Sequence, residues 1–231
     1  MATTSTNHTS STPTDELSVW LRDGWKMMFK HFPALVVIAL VADLPLTFIG
    51  RSTENISNGL LSTFVTISSI AVITPIAKAA AIVAIHNWDE GEEGAILTAF
   101  QALVRNFHIV LATSILWCVA VFVGVGLLII PGIVVLMLGQ CLMGAIILEK
   151  RSIRDSIKRS RSLVKPRFWN VLALFAIVQA VAGIASGIVE AGAGSLISGV
   201  PLDIVTRALT SPITFAPLAM MFLRTSRASG R

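Results

Sequence analysis

The run FHIVLATSILWCVAVFVGVGLLIIPGIVVLMLGQCLMGAIIL, residues 107–148, decides the fold, because it contains no Asp, Glu, Lys or Arg. An α-helix rises 1.5 Å per residue, so about 20 apolar residues cross a hydrocarbon core about 30 Å thick. The run is long enough for two crossings. Ile130-Pro131-Gly132 in its middle, with no charge within it, reads as the tight turn that joins them. Arg105 ahead of the run and Glu149-Lys150-Arg151 after it place both ends of this hairpin in water on the same side.

Working outward, apolar stretches recur at 33–50, 60–86, 107–130, 132–148, 168–189 and 204–223, the first and fourth only just long enough to span. Of 231 residues, 54% are hydrophobic and only 13% charged, and the mean hydropathy is +0.78. A soluble domain carries about a quarter charged residues. A buried core cannot account for that shortfall, so lipid is the expected solvent. The expected fold is an all-α integral membrane protein of about six transmembrane helices. It forms one polytopic membrane domain over 15–224, between a disordered polar tail at 1–14 and a short basic tail at 225–231. The Ser/Thr-rich start lacks the basic opening and apolar core of a secretory signal. Cys118 and Cys141 lie inside apolar stretches without CxxC spacing, as structural thiols do.

The distribution of cations sets the orientation. Arg22, Lys26 and Lys30 precede the first span and Arg105 the third. Lys150, Arg151, Arg154, Lys158, Arg159, Arg161, Lys165 and Arg167 fill the link between the fourth and fifth, and Arg224, Arg227 and Arg231 follow the last. Only Arg51 and Arg207 fall on the other side. The positive-inside bias then puts both termini in the cytoplasm, with the plasma (inner) membrane as the expected location. Trp20, Trp25, Trp88 and Trp169 fall near the same interface, where indoles concentrate. The net charge of +5 expresses this bias rather than nucleic-acid binding.

A unit repeats three times. Met28-Phe29-Lys30-His31-Phe32-Pro33-Ala34-Leu35, Leu103-Val104-Arg105-Asn106-Phe107-His108-Ile109-Val110 and Val164-Lys165-Pro166-Arg167-Phe168-Trp169-Asn170-Val171 align without gaps. Each sets a cation ahead of a Phe that opens a span, and each follows a stretch of helical amphipathic spacing. In the third, Ile153, Ile157, Ser160 and Val164 share one face and cations fill the other. The physical unit is an interfacial helix on the cytoplasmic surface followed by a hairpin of two spans. Three such units give six spans. Thr74-Pro75-Ile76-Ala77 and Ala216-Pro217-Leu218-Ala219 echo each other in the second and sixth.

Glu149, Arg159-Ser160, Leu163, Lys165 and Phe168-Trp169, with Pro131 and the Trp88-Asp89-Glu90-Gly91-Glu92 loop, carry a resemblance. Over roughly 20–224 the chain resembles the membrane-domain family of glycerophosphoryl diester phosphodiesterases and its uncharacterised relatives. It departs from them at Pro166, where the family often has Gly. In some members the membrane region is fused to a barrel that holds the metal and the catalysis. The resemblance therefore implies a membrane module and not hydrolase activity.

Enzyme signatures are missing: there is no HExxH, GxSxG, P-loop or GxGxxG after a strand. No cofactor is expected. His31, His86 and His108 cluster near one interface, but no Cys or carboxylate stands at ligand spacing around them, so no metal is expected either. Ionisable and polar residues inside spans are costly and mark candidate sites. Asp43, beside Pro45, and Lys78, after Pro75, could pair across the first two spans. Alternatively, Lys78 snorkels to the interface and Asp43 bonds nearby backbone. Gln140 and Gln179, with Thr210, Ser211 and Thr214, could complete a mid-depth polar belt around a cavity, with Pro45, Pro75, Pro212 and Pro217 breaking helices nearby. They could equally join helices by hydrogen bonds, the prolines merely kinking them. Gly183 and Gly187 form a GxxxG pair and Ala77/Ala81 a small-xxx-small pair, suited to packing within the chain.

Two functions follow. One is a non-enzymatic membrane module whose basic interfacial helix, through Arg154, Lys158, Arg159, Arg161, Lys165 and Arg167, engages anionic lipid or a protein partner at the cytoplasmic face. The other is a small-solute or lipid transporter with a polar cavity around Asp43. Whether a homo-oligomer forms is not legible at this stage.

Overall fold

The computed structural model describes residues 13–41, 45, 59–127, 129–193 and 202–229. They are all-helical, with no strand among them. The helices are α1 (Pro13–Lys30), α2 (Phe32–Val41), α3 (Gly59–Asp89), α4 (Ala95–Arg105), α5 (Phe107–Leu127), α6 (Ile129–Ile147), α7 (Ile153–Val164), α8 (Phe168–Ala193) and α9 (Leu202–Ser229). Helix α1 starts two residues inside the segment read as tail, because proline is tolerated in a helix's first turn, where its missing N–H is not needed.

By length and composition, two helical stretches could cross a membrane, Ile153–Gly192 and Ile204–Ser229. The number is four if the bent pairs α1–α2 and α4–α5 each count as one span, and Gly132–Ile147 is a shorter apolar helix.

Two of the three repeated units bend as expected. The axis turns by 84° between α1 and α2 and by 74° between α4 and α5. Each bend sits between the cation and the Phe of the repeat, at His31 and at Asn106, the latter with φ −107° and ψ 14°. The third unit differs. Val164, Lys165 and Phe168 all stay in the right-handed helical region, and Lys165–Arg167 forms a single 3-10 turn. Pro166 falls in the first turn of that segment, where it costs no hydrogen bond. Helices α7 and α8 therefore run on as one 40-residue stretch, Ile153–Gly192, rather than a surface helix followed by a span.

The turn of the 107–148 run also moves. Helix α5 ends at Leu127 and α6 begins at Ile129, so Pro131 and Gly132 lie within the first turn of α6. Pro75, Pro212 and Pro217 lie inside continuous helices rather than at breaks. Helix α9 runs on to Ser229, so 225–229 is helix and not tail.

The core draws Leu35 and Ile38 from α2, Val110 from α5, and Val171, Leu174 and Val178 from α8. It draws Ala77 and 79–85 from α3, Met137, 141–143 and 145–147 from α6, and 215–216 and 218–223 from α9. Helix α9 packs against α1, α3, α6 and α8. Its approach to α1 is close, since a Cβ at Gly24 would lie 2.4 Å from the Cα of Pro217.

Candidate functional site

A polar cluster is centred on Glu149, just past α6. Arg151 Nε donates to its Oε2 at 2.5 Å, Ser226 Oγ to its Oε1 at 2.7 Å, and Arg159 Nε to both oxygens at 3.2 Å. Arg159 also reaches α9, where Nη1 donates to Ser229 Oγ at 3.0 Å and Nη2 to the Ser226 carbonyl at 3.4 Å. Burial pushes the Glu149 carboxyl up, but the hydrogen bonds from Ser226, Arg151 and Arg159 and the Arg159 charge outweigh it and hold it below the ordinary carboxylate value. Further ties converge on α9: Arg224 meets Asp23 at 2.9 Å, and Arg227 bonds Asp89 and approaches Glu90 at 3.7 Å. Arg167 meets Glu16 of α1 at 3.0 Å.

Helix α7 docks on α6 by a face that shares Ser160 and Val164 with the one its apolar spacing picks out but is rotated away from Ile157. Ser156, Ser160, Leu163 and Val164 are buried, while Ile157 is exposed. The Ser160 hydroxyl donates to the Leu138 carbonyl of α6, and two small serines let the helices approach where isoleucines would hold them apart. The cations thereby divide. Arg154, Lys158, Arg161 and Lys165 are exposed, and Arg159 and Arg167 turn inward to carboxylates. Helix α7 has a firm start, for Ser152 caps it by accepting from the Asp155 N–H.

Further along the bundle, Lys78 of α3 donates its Nζ to the Gln140 Oε1 of α6, and Gln140 Nε2 donates to the Leu136 carbonyl at 3.0 Å. The pair lines a cavity of about 250 Å³ with Thr74, Trp117, Cys118 and Gly139. Glycine at 139 admits the Trp117 indole, since a Cβ there would fall 2.2 Å from its ring. Asp43 lies outside the described residues. Gln179 is exposed on α8, away from the buried Gln140. The Thr210 hydroxyl donates to the Thr206 carbonyl and that of Thr214 to the Ser211 carbonyl, so both serve their own helix. Of the described members of the polar belt, Lys78 and Gln140 are joined by a hydrogen bond. Ala77 and Ala81 are buried, whereas a Cβ at Gly183 or Gly187 meets no atom within 4 Å, so the glycine pair packs against no other helix among the described residues.

Two features escaped sequence reasoning. One is the hub role of Glu149, which its place at the end of an apolar run and in the resembling segment marked without naming its partners. The other is the stacking of His31 on Trp88, with ring centroids 4.3 Å apart, which ties the α1–α2 corner to the end of α3. Burial first, and then the Lys30 charge, lower the His31 pKa. His86 lies 3.5 Å from Glu90 and His108 is exposed. Among the described residues, no three potential metal ligands gather. No family model matches the sequence, and no curated protein and no solved structure matches it significantly.

Proposed function

We propose that this chain is a multi-pass protein of the plasma membrane whose cation-rich end lies at the cytoplasmic surface and holds anionic lipid there, without catalysis of its own. In this reading α2, α3, α5, α6, α8 and α9 are the six spans and both termini are cytoplasmic. The observation that carries it is the division of the α7 cations. Arg154, Lys158, Arg161 and Lys165 stay exposed on a helix whose other face is fixed to α6. Cations held at a headgroup surface attract anionic lipid by about 1 kcal/mol each. Because Ser156, Ser160, Leu163 and Val164 are packed away, what α7 presents outward is chiefly charge. Kinship with the phosphodiesterase membrane-domain family belongs to the same proposal. Its support is that Glu149, Arg159, Ser160 and Leu163, which carry the resemblance, sit together in the α6–α7–α9 joint.

The test is native mass spectrometry during graded delipidation, comparing wild type with Arg154→Gln/Lys158→Gln/Arg161→Gln. The variant is expected to shed its complement of anionic lipid at milder activation than wild type. Equal loss from both would overturn the reading. It would favour the second one, transport of a small solute or lipid, which the Lys78–Gln140 cavity supports.

A further inference from the structure

We infer that the groove between α4 and the end of α6 seats a single anionic phospholipid, its phosphate held by Arg105, Lys150 and Arg151. The groove encloses about 520 Å³, and all three cations line it, within the range of small-ligand sites. They come from two separate points in the chain, the α4–α5 corner and the link after α6, and none belongs to the α7 face. Arg105 and Lys150 are exposed and have no carboxylate partner among the described residues. Arg151 gives its Nε to Glu149, which leaves its terminal nitrogens for a ligand. The Glu149 charge is already answered by Arg159 and Ser226, so the groove presents a surplus of positive charge. Lys150 holds φ at 49°, the only positive value at a non-glycine among the described residues. A β-carbon resists that conformation, so Lys150 is a costly way to build the turn unless its ammonium is needed there.

The apolar part of the groove chooses between a lipid and free phosphate. Ile109, Ile146 and Ile147 line it beneath the cations. From Ile109 the exposed residues Ala112, Leu116, Val119 and Val123 continue down α5 at intervals of three and four, which is one stripe of a helix. A phosphate between the cations would leave a diacylglycerol tail lying on that stripe. Inorganic phosphate would make no use of it.

The assignment rests on the proposed function only in placing this end of the bundle at the headgroups, and its test reads a different lipid. Purified protein is titrated in detergent with phosphatidylglycerol, with phosphatidylcholine of the same chains and with inorganic phosphate, and bound mass is read by native mass spectrometry. Wild type is expected to keep one phosphatidylglycerol after all other lipid has left. Arg105→Gln/Lys150→Gln should hold it about 25-fold more weakly, at about fivefold per cation. The α7 triple variant should still keep it, so failure of the α7 reading and failure of this one are separable. Lys150→Gly guards against misfolding as the cause: it relieves the backbone and is expected to raise the thermal midpoint while weakening the retained lipid about fivefold. Equal retention of phosphatidylcholine, equal binding of free phosphate, or an unchanged last lipid in the double variant would each overturn the assignment.

Discussion

At the scale of single residues, Glu149 decides most. Its carboxylate takes hydrogen bonds from Arg151, Arg159 and Ser226, and its pKa is held low in the folded protein. Between the lowered folded value and the ordinary one near pH 4 the unfolded chain binds more protons, so in that window stability falls as the pH falls. The contribution is complete above the ordinary value and disappears as pH drops through the folded one. Glu149→Gln should cost about 2 kcal/mol, the scale of hydrogen bonds to a charged group. It should also remove part of the acid dependence of the thermal midpoint in detergent, and an unchanged pH profile would mean the cluster contributes nothing. Sequence alone singled out Lys78 and Gln140 as polar intrusions, because a cation or amide in an apolar run is conspicuous. It could not pair them, since periodicity fixes a residue's face and not what meets that face. Arg159 and Arg161 show the same limit: they are neighbours in one basic run, and only the packing of α7 turns one inward and leaves the other exposed.

Helix boundaries were legible to within a few residues wherever an apolar run met a charge, as at Asp89, Arg105 and Ile147. Bends were harder to read. The three repeated units look alike in sequence, yet two turn sharply and the third continues, because Pro166 enters where a new helical turn can accept it. Glycines in the helices likewise look alike and behave differently. Gly24 lies against the backbone of Pro217, whereas Gly183 faces open space. Gly24→Leu must therefore force α1 off α9, at a cost of about 1–3 kcal/mol. Gly183→Leu should be neutral or stabilising by about 1 kcal/mol, because leucine is the better helix former. Thermal midpoints of the two variants check this. An equal fall in both would mean that the outer face of α8 is covered in the native protein.

For the molecule as a whole, the proposed topology makes a prediction that needs no ligand. In a background of Cys118→Ala/Cys141→Ala, a cysteine placed at Ser162 should react with a membrane-impermeant maleimide only after cells are opened, and one at Ser57 should react in intact cells. The reverse pattern would invert the molecule and put its cationic end outside. The all-helical class was readable from the long apolar runs, and two to four of the described helices are long and apolar enough to cross a membrane, consistent with the lipid solvent that so few charges suggest. The ties made by α9 bear on how the protein is built. Asp23, Asp89 and Glu149 belong to segments that leave the ribosome before Arg224, Ser226 and Arg227 exist. Until that last described helix arrives, Asp89 lacks Arg227, Asp23 lacks Arg224 and Glu149 lacks Ser226, although Arg151 and Arg159 already hold the Glu149 carboxylate. A chain cut short before it would thus carry a chemical mark of incompleteness, open to any protease that surveys half-made membrane proteins.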